Sequence, residues 1–335
     1  MFGDMQHCQF RTLESCEPWN MNNQPGAKPR SLTFFYLQAK RNLIFLKSVA
    51  AKRTFVVTTL EGRIARQLCE GEYESLQAIY EVSSSFVPRP YTWGKISESE
   101  TEQYFLLTAF RQIAKQLFYS PATAPALAKA LSQLHEKSVS PTGKFGFHVN
   151  TCHGRIVQPV EWEDSWCVLF ARHLGHFMEL AKPVLNWPEF DVVCKLTIEK
   201  VVPRLLLPLQ SDGRSIKPCL LHGDCWDGNT ANSLDDTSFV FDVCSFYGHN
   251  EYDIGDWRPR RHALSKPEYR KLYKEFYQPS EPQNEWDDRH ILYSLPFNIG
   301  NAAFIPGSDQ REVKFCPEEL ENALQSLDTP SMLSK

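Results

Sequence analysis

Leu220-Leu-His-Gly-Asp-Cys-Trp-Asp-Gly-Asn229, followed after nine intervening residues by Phe239-Val-Phe-Asp242, decides how this chain is read. Each stretch is a short apolar run that ends in polar groups, the pattern of a strand leaving a sheet. Strand-to-loop exits are where reactive side chains commonly sit. Asp224 and Asp242 are eighteen residues apart, with Asn229 between them. Two carboxylates and an amide suit one hard cation and one proton acceptor. Mg²⁺ takes carboxylate and amide oxygens while keeping water and phosphate ligands. Phosphoryl transfer needs positioning and charge neutralisation more than covalent chemistry, so this small donor set suffices. Gly223 and Gly228 let the backbone bend closely around those groups. A hydrolytic metal centre could recruit His222, Asp224, Asp242 and His249. It is the weaker reading, because no H-x-H or H-E-x-x-H pair accompanies them.

Outward from this cluster the chain changes character. Thr54–Val57 reads as a short strand, and residues 64–82 follow with Ile64, Leu68, Leu76 and Ile79 at helical spacing. Glu72 falls within that apolar stripe and therefore needs a partner; an unpaired charge in a core costs roughly 3–5 kcal/mol. Residues 102–110 read as a buried strand. Helices are predicted over 124–137, 164–180 and 189–206, interrupted only by short apolar strands at 217–224 and 238–243. Strands and a helix first, then mostly helices, is the order of an α+β protein with two lobes. The division falls near residue 112, with a β-containing lobe over 51–112 and a mainly helical lobe over 113–335.

Composition narrows the possibilities further. The 335 residues carry 36 Lys+Arg against 40 Asp+Glu, a net charge of −4, which argues against a bulk-charge nucleic-acid binder. No apolar run approaches the ~18 residues of a membrane span. Ten scattered cysteines without a C-x-x-C pair read as reduced thiols, and the chain reads as intracellular and cytoplasmic. The first 30 residues, rich in Pro, Asn and Gly, read as a disordered lead-in. The absence of acidic residues from Pro18 to Leu60 is shared with mitochondrial leaders, yet 32–49 is too aromatic and too internal for one.

Five blocks, taken in order, carry a resemblance: EGEYESLQAI (70–79), FVPRPYTWG (86–94), KFGFHVNTCHG (144–154), LLHGDCWDGN (220–229) and FDVCSFYGHNEYD (241–253). They resemble the fructosamine/ketosamine kinases, which share the fold of aminoglycoside and choline kinases. The stretch over 285–313 resembles the fungal, ribulosamine-kinase-like branch. The resemblance implies a bilobal protein-kinase-like fold. It implies transfer of phosphate from ATP, with Mg²⁺, to the 3-hydroxyl of a ketosamine on a glycated protein or small amine. The 3-phosphate then breaks down and frees the amine. By motif, Asp224 matches the proton acceptor, and Asn229 and Asp242 match the metal-holding positions. Leu107, Thr108 and Ala109 match the interlobe linker that meets adenine. Glu72 matches the helix glutamate that pairs with a strand lysine on the phosphates. Phe147, Trp226 and Tyr247 could offer flat faces to a sugar, with core packing as the competing role.

The chain departs from the family at its start. The strand lysine should fall near Val57 or Thr58, and neither position carries a cation. Lys47, in Phe45-Leu46-Lys47, is the expected substitute, with Lys52 or Arg53 the alternative. No glycine lies between Gly26 and Gly62, where the family has a phosphate-covering turn. Residues 1–50 are thus atypical: either a true variant or a misassigned start. The alternative function is a kinase-like protein that binds glycated amines without turning over ATP.

Overall fold

The computed structural model describes residues 34–40, 43–48, 53–96, 102–114, 124–185, 187–305 and 308. Five strands, β1 (Phe34–Lys40), β2 (Leu43–Ser48), β3 (Arg53–Glu61), β4 (Pro90–Lys95) and β5 (Gln103–Ala109), pair antiparallel in the order β1-β2-β3-β5-β4. The strand expected over Thr54–Val57 runs on to Glu61. Its further residues Thr58, Thr59 and Leu60 stay in register with Leu106, Phe105 and Tyr104 of β5. Threonine's branched side chain suits a pleated surface, so the ladder continues. Gly62, at φ +97°, then turns the chain into α1 (Ala65–Val82). Ala65, Cys69, Leu76 and Ile79 of α1 are buried, and the helix lies against β3, β4 and β5.

The remainder is mainly helical. α2 (Ala124–Lys137) packs on α6 (Pro267–Phe276), and α3 (Trp166–Ala181) packs on α7 (Trp286–Phe304). Ser165 caps α3 by accepting a hydrogen bond from the Val168 N–H. α7 is buried around most of its circumference, so its apolar residues face neighbours on several sides. The helix expected over 189–206 is divided into α4 (Phe190–Leu196), a wide turn over Thr197–Val201, and α5 (Val202–Leu206). Pro203 has no N–H to give, and the wide turn absorbs the missing donor, with the Val202 N–H reaching the Thr197 carbonyl.

Three short pairs complete the fold: β6 (Cys152–His153) with β7 (Ile156–Val157), β8 (Cys219–Leu220) with β11 (Tyr247–Gly248), and β9 (Thr230–Asn232) with β10 (Ser238–Val240). Two contacts tie α1 to this second part. A Cβ on Gly71 would lie 2.9 Å from the Asn150 carbonyl, so only glycine allows that approach. The Ser245 N–H donates to Ser75 Oγ at 2.9 Å while that hydroxyl donates to the Gly71 carbonyl. Phe110–Ala114 carries the chain between the two parts. No helix among the described residues is long and apolar enough to cross a membrane. The seven described cysteines are free, and six of them are buried.

Candidate active site

The loop that leaves β8 is held by groups beneath it. Buried Asp253 accepts the His222 N–H at 2.7 Å on Oδ2 and the Gly223 N–H at 2.8 Å on Oδ1. Its Oδ2 also lies 3.0 Å from His135 Nε2, and His135 Nδ1 lies 2.7 Å from the Tyr273 hydroxyl. The Trp257 Nε1–H donates to the Cys225 carbonyl at 2.7 Å. Such a chain of buried partners fixes the loop backbone before any ligand arrives. Gly223 sits at φ +92°, and a Cβ there would stand 2.3 Å from the Cys244 carbonyl oxygen. The turn therefore requires glycine.

His222 is fully buried. Its Nδ1 accepts the Asp224 N–H at 3.1 Å, so the proton is on Nε2 and is donated to the Phe241 carbonyl at 3.2 Å. Burial pushes this imidazole's pKa down, which keeps it neutral. His249 is likewise committed, to Tyr293 OH at 2.8 Å and Ser280 Oγ at 2.9 Å. Both histidines are internal fasteners, not ligands of a hydrolytic metal.

Above the fasteners stand the acids. Asp224 is partly exposed, and Asn229 Nδ2 donates to its Oδ2 at 2.9 Å and to its carbonyl at 3.0 Å. With its Nδ2 so occupied, Asn229 has only Oδ1 to present to a cation. Asp242 follows β10 at φ +57°, an uncommon conformation for a residue with a side chain. Burial, and then the nearby Asp224 charge, pushes the Asp242 carboxyl's pKa up. Burial, and then Asp242, pushes that of Glu72 up as well. Three acids crowding one place favour protons or a cation. One amide oxygen and one carboxylate fit a divalent ion that keeps water and phosphate as its other ligands.

Glu72 projects from α1 toward Asp242 and is only partly buried, and among the described residues no Lys or Arg pairs with it. β2–β3 pairing places Lys47 opposite Thr54, three positions from Val57 along β3. Its side chain, that of Arg53 and all of Lys52 lie outside the described residues. Leu107 and Thr108 do not form a free linker. They are paired with Val57 and Val56 on one side and with Thr92 and Pro90 on the other. Ala109 ends the strand opposite Phe55 and donates its N–H to the Arg89 carbonyl at 2.8 Å, and the Phe110 N–H donates to the Thr54 carbonyl at 3.2 Å, so the chain leaves the sheet only after Phe110. Phe147 and Tyr247 do not stand open as flat faces. Both are buried, with ring centroids 6.3 Å apart, and Trp162 stacks on Tyr247 at 6.1 Å. They are core packing, not a sugar platform. Trp226 remains half-buried beside Asp224, its ring 5.1 Å from His262 and above Gly228.

Sequence reasoning missed Asp253, although it closes the block ending in Glu251-Tyr252-Asp253. It also missed His153, in Thr151-Cys-His-Gly154, whose Nε2 lies 3.4 Å from Asp224 Oδ1. Neither carries a local signal, because each meets its partner only through long-range folding.

Known proteins place this geometry in context. A crystal structure of a protein assigned as a fructosamine-3-kinase from Haemophilus somnus 129PT superposes with TM-score 0.65 at 21% identity, covering 87% of this chain and 91% of that one. A thermostable mutant of the aminoglycoside phosphotransferase APH(4)-Ia, in ternary complex with AMP-PNP and hygromycin B, gives TM-score 0.57 at 14% identity, with 88% and 94% covered. These likenesses show the bilobal kinase-like fold. In sequence, the chain is 30% identical over 203 residues to the chloroplastic protein-ribulosamine 3-kinase of Oryza sativa subsp. indica, covering 60% of this chain. It is 29% identical over 232 residues to the ketosamine-3-kinase of Mus musculus, covering 60% of this chain and 68% of the mouse protein. The chain spans about half the length, 55%, of the rice relative. The fructosamine kinase family model matches residues 42–314, most of the sequence, and the chain belongs to that family.

Proposed function

We propose that this chain is a ketosamine kinase that phosphorylates the 3-hydroxyl of ribulosamine or fructosamine groups, on glycated proteins or small amines, at the expense of ATP. Breakdown of the 3-phosphate would then free the amine, a deglycation. The observation that supports the reading best is Asp224, a partly exposed carboxylate held by Asn229 and set beside Asp242. Asp224 accepts the proton of the attacking hydroxyl as the O–P bond forms. Asn229 Oδ1 and Asp242 would hold Mg²⁺, which when bound neutralises phosphate charge. Ala109 and residues 110–114 are the backbone we assign to the adenine, and Trp226 the face we assign to the sugar. We keep a division near residue 112 between the nucleotide-facing and acceptor-facing lobes. Lys47 falls inside the family match, which begins at residue 42, and is our choice for the phosphate-clamping lysine.

A second reading is favoured by Val57 and Thr58, where no cation stands, and by the lack of glycine over 27–61. It is a protein that holds glycated amines without turning over ATP. Measuring ATP consumption by the purified chain with a ketosamine, with Mg²⁺ present or chelated, separates the two. Ketosamine- and Mg²⁺-dependent ADP release supports the kinase. Ketosamine binding with no ADP release supports the second reading.

A further inference from the structure

His153 is placed by several independent constraints. It ends β6, and the turn after it is made by Gly154 at φ +56°. Its ring sits between Phe177 of α3, centroids 5.5 Å apart, and Phe297 of α7, centroids 5.7 Å apart. Gly300 of α7 lies on a further side, where an added Cβ would stand in ordinary contact, 3.9 Å from His153 Cε1. The two ring nitrogens differ sharply. Nδ1 is buried with no hydrogen-bond partner among the described residues, whereas Nε2 points at Asp224 Oδ1, 3.4 Å away. A proton on Nδ1 would be a buried donor without an acceptor, and Nε2 would then turn a lone pair toward a carboxylate. The proton therefore belongs on Nε2.

We infer that His153 is a positioning residue for Asp224: its Nε2–H steers Oδ1 while Asn229 holds Oδ2, presenting the carboxylate to the acceptor hydroxyl in one rotamer. The inference rests on the reading of Asp224 as proton acceptor. At 3.4 Å the contact is longer than an ordinary N–H···O bond. A contact of that length can tighten when the reacting groups are in place. It also leaves Oδ1 able to receive the hydroxyl proton.

The test compares His153→Phe, which keeps an aromatic ring between Phe177 and Phe297, with His153→Gln, whose amide nitrogen reaches about as far as Nε2. Steady-state kinetics with a ketosamine and Mg-ATP should show kcat down roughly ten- to hundredfold in His153→Phe, the scale of a misplaced reacting group. The KM for ATP should be unmoved, and His153→Gln should recover most of the loss. Equal rates in the two variants, whether both normal or both impaired, overturn the inference. If the parent chain releases no ADP, the functional reading fails, and ¹⁵N-histidine NMR decides His153 by itself. An Nε2–H tautomer whose signal shifts in Asp224→Asn supports the inference. An Nδ1–H tautomer, or a signal indifferent to Asp224→Asn, overturns it. The same measurement on the parent chain decides the matter should His153→Phe fail to fold.

Discussion

The two sides of the cleft are built to different standards. On the acceptor side, Asp253 alone fastens two backbone N–H groups of the 222–224 loop, and His135, Tyr273, His222 and Trp257 extend that support into the helices. On the nucleotide side, β3 offers Val57 and Thr58 at the expected lysine position, and Glu72 faces Asp242 without a Lys or Arg partner among the described residues. The difference teaches that the geometry around the proposed proton acceptor is fixed by the fold itself. The proposed phosphate site would instead need one cation supplied from elsewhere in the chain or from solution.

The comparison can be broken most decisively at the acids. Asp224→Asn keeps the shape and the Asn229 contact but removes the proton acceptor. Turnover should fall about 10²–10⁴-fold with nucleotide affinity barely changed. Asp242→Ala should do the reverse, abolishing Mg²⁺-dependent nucleotide binding measured by calorimetry. Full activity in Asp224→Asn would remove the assigned acceptor side altogether.

A second prediction concerns the fastener. Asp253→Ala leaves two buried backbone donors and His135 without their acceptor, a loss on the order of 3–5 kcal/mol. Urea unfolding should show a lowered midpoint, and any folded fraction should bind nucleotide better than it turns over. An unchanged midpoint would mean that the loop is held by other contacts. On the opposite side, Lys47→Met should weaken ATP binding roughly 10–100-fold, the loss of one charge-assisted phosphate contact at about 1.5–3 kcal/mol. An unaltered dissociation constant would show that another cation completes the clamp.

How much of this was legible from sequence also differs between the two sides. Asp224, Asn229 and Asp242 announce themselves because they lie within a few residues of apolar strand ends. Asp253 and His153 do not, since their partners are 30 and 71 positions away in the chain and only folding brings them together. The helix over 124–137 was readable from spacing alone. The break at Thr197–Val201 was not, because a proline inside an apolar helix can be absorbed by a local wide turn as well as by a kink. Phe147 and Tyr247 misled because aromatic residues near a motif look the same in sequence whether they face a ligand or one another.

The smallest effect lies in the helical core. Burial holds the His290 pKa down to about 3, with Nε2 bonded to the Ile254 carbonyl at 2.8 Å. The unfolded chain takes up a proton on this histidine near its ordinary value, about 6.5, while the folded chain does not. Stability therefore falls as pH drops below about 6.5, by up to roughly 1.4 kcal/mol per unit for this one group. In His290→Gln that share is absent, so the stability gap between parent and variant should shrink from pH 6.5 to 5 in parallel denaturation curves. A constant gap would mean that His290 is protonated in the folded state.

The fastening of α1 has a mechanical meaning. Ser75 and Gly71 bind this helix to the loop after Asp242 and to the Asn150–Thr151 backbone, and those segments belong to the acceptor side. On the proposed function, a cleft that opens to exchange nucleotide would carry α1 with the helical half. The outer strands and the 110–114 segment must then supply the motion. A helix anchored in this way is poorly suited to act as a swinging on–off lever. On the proposed function, the protein is a standing tool whose output follows the supply of glycated amine and not a command relayed through its own scaffold.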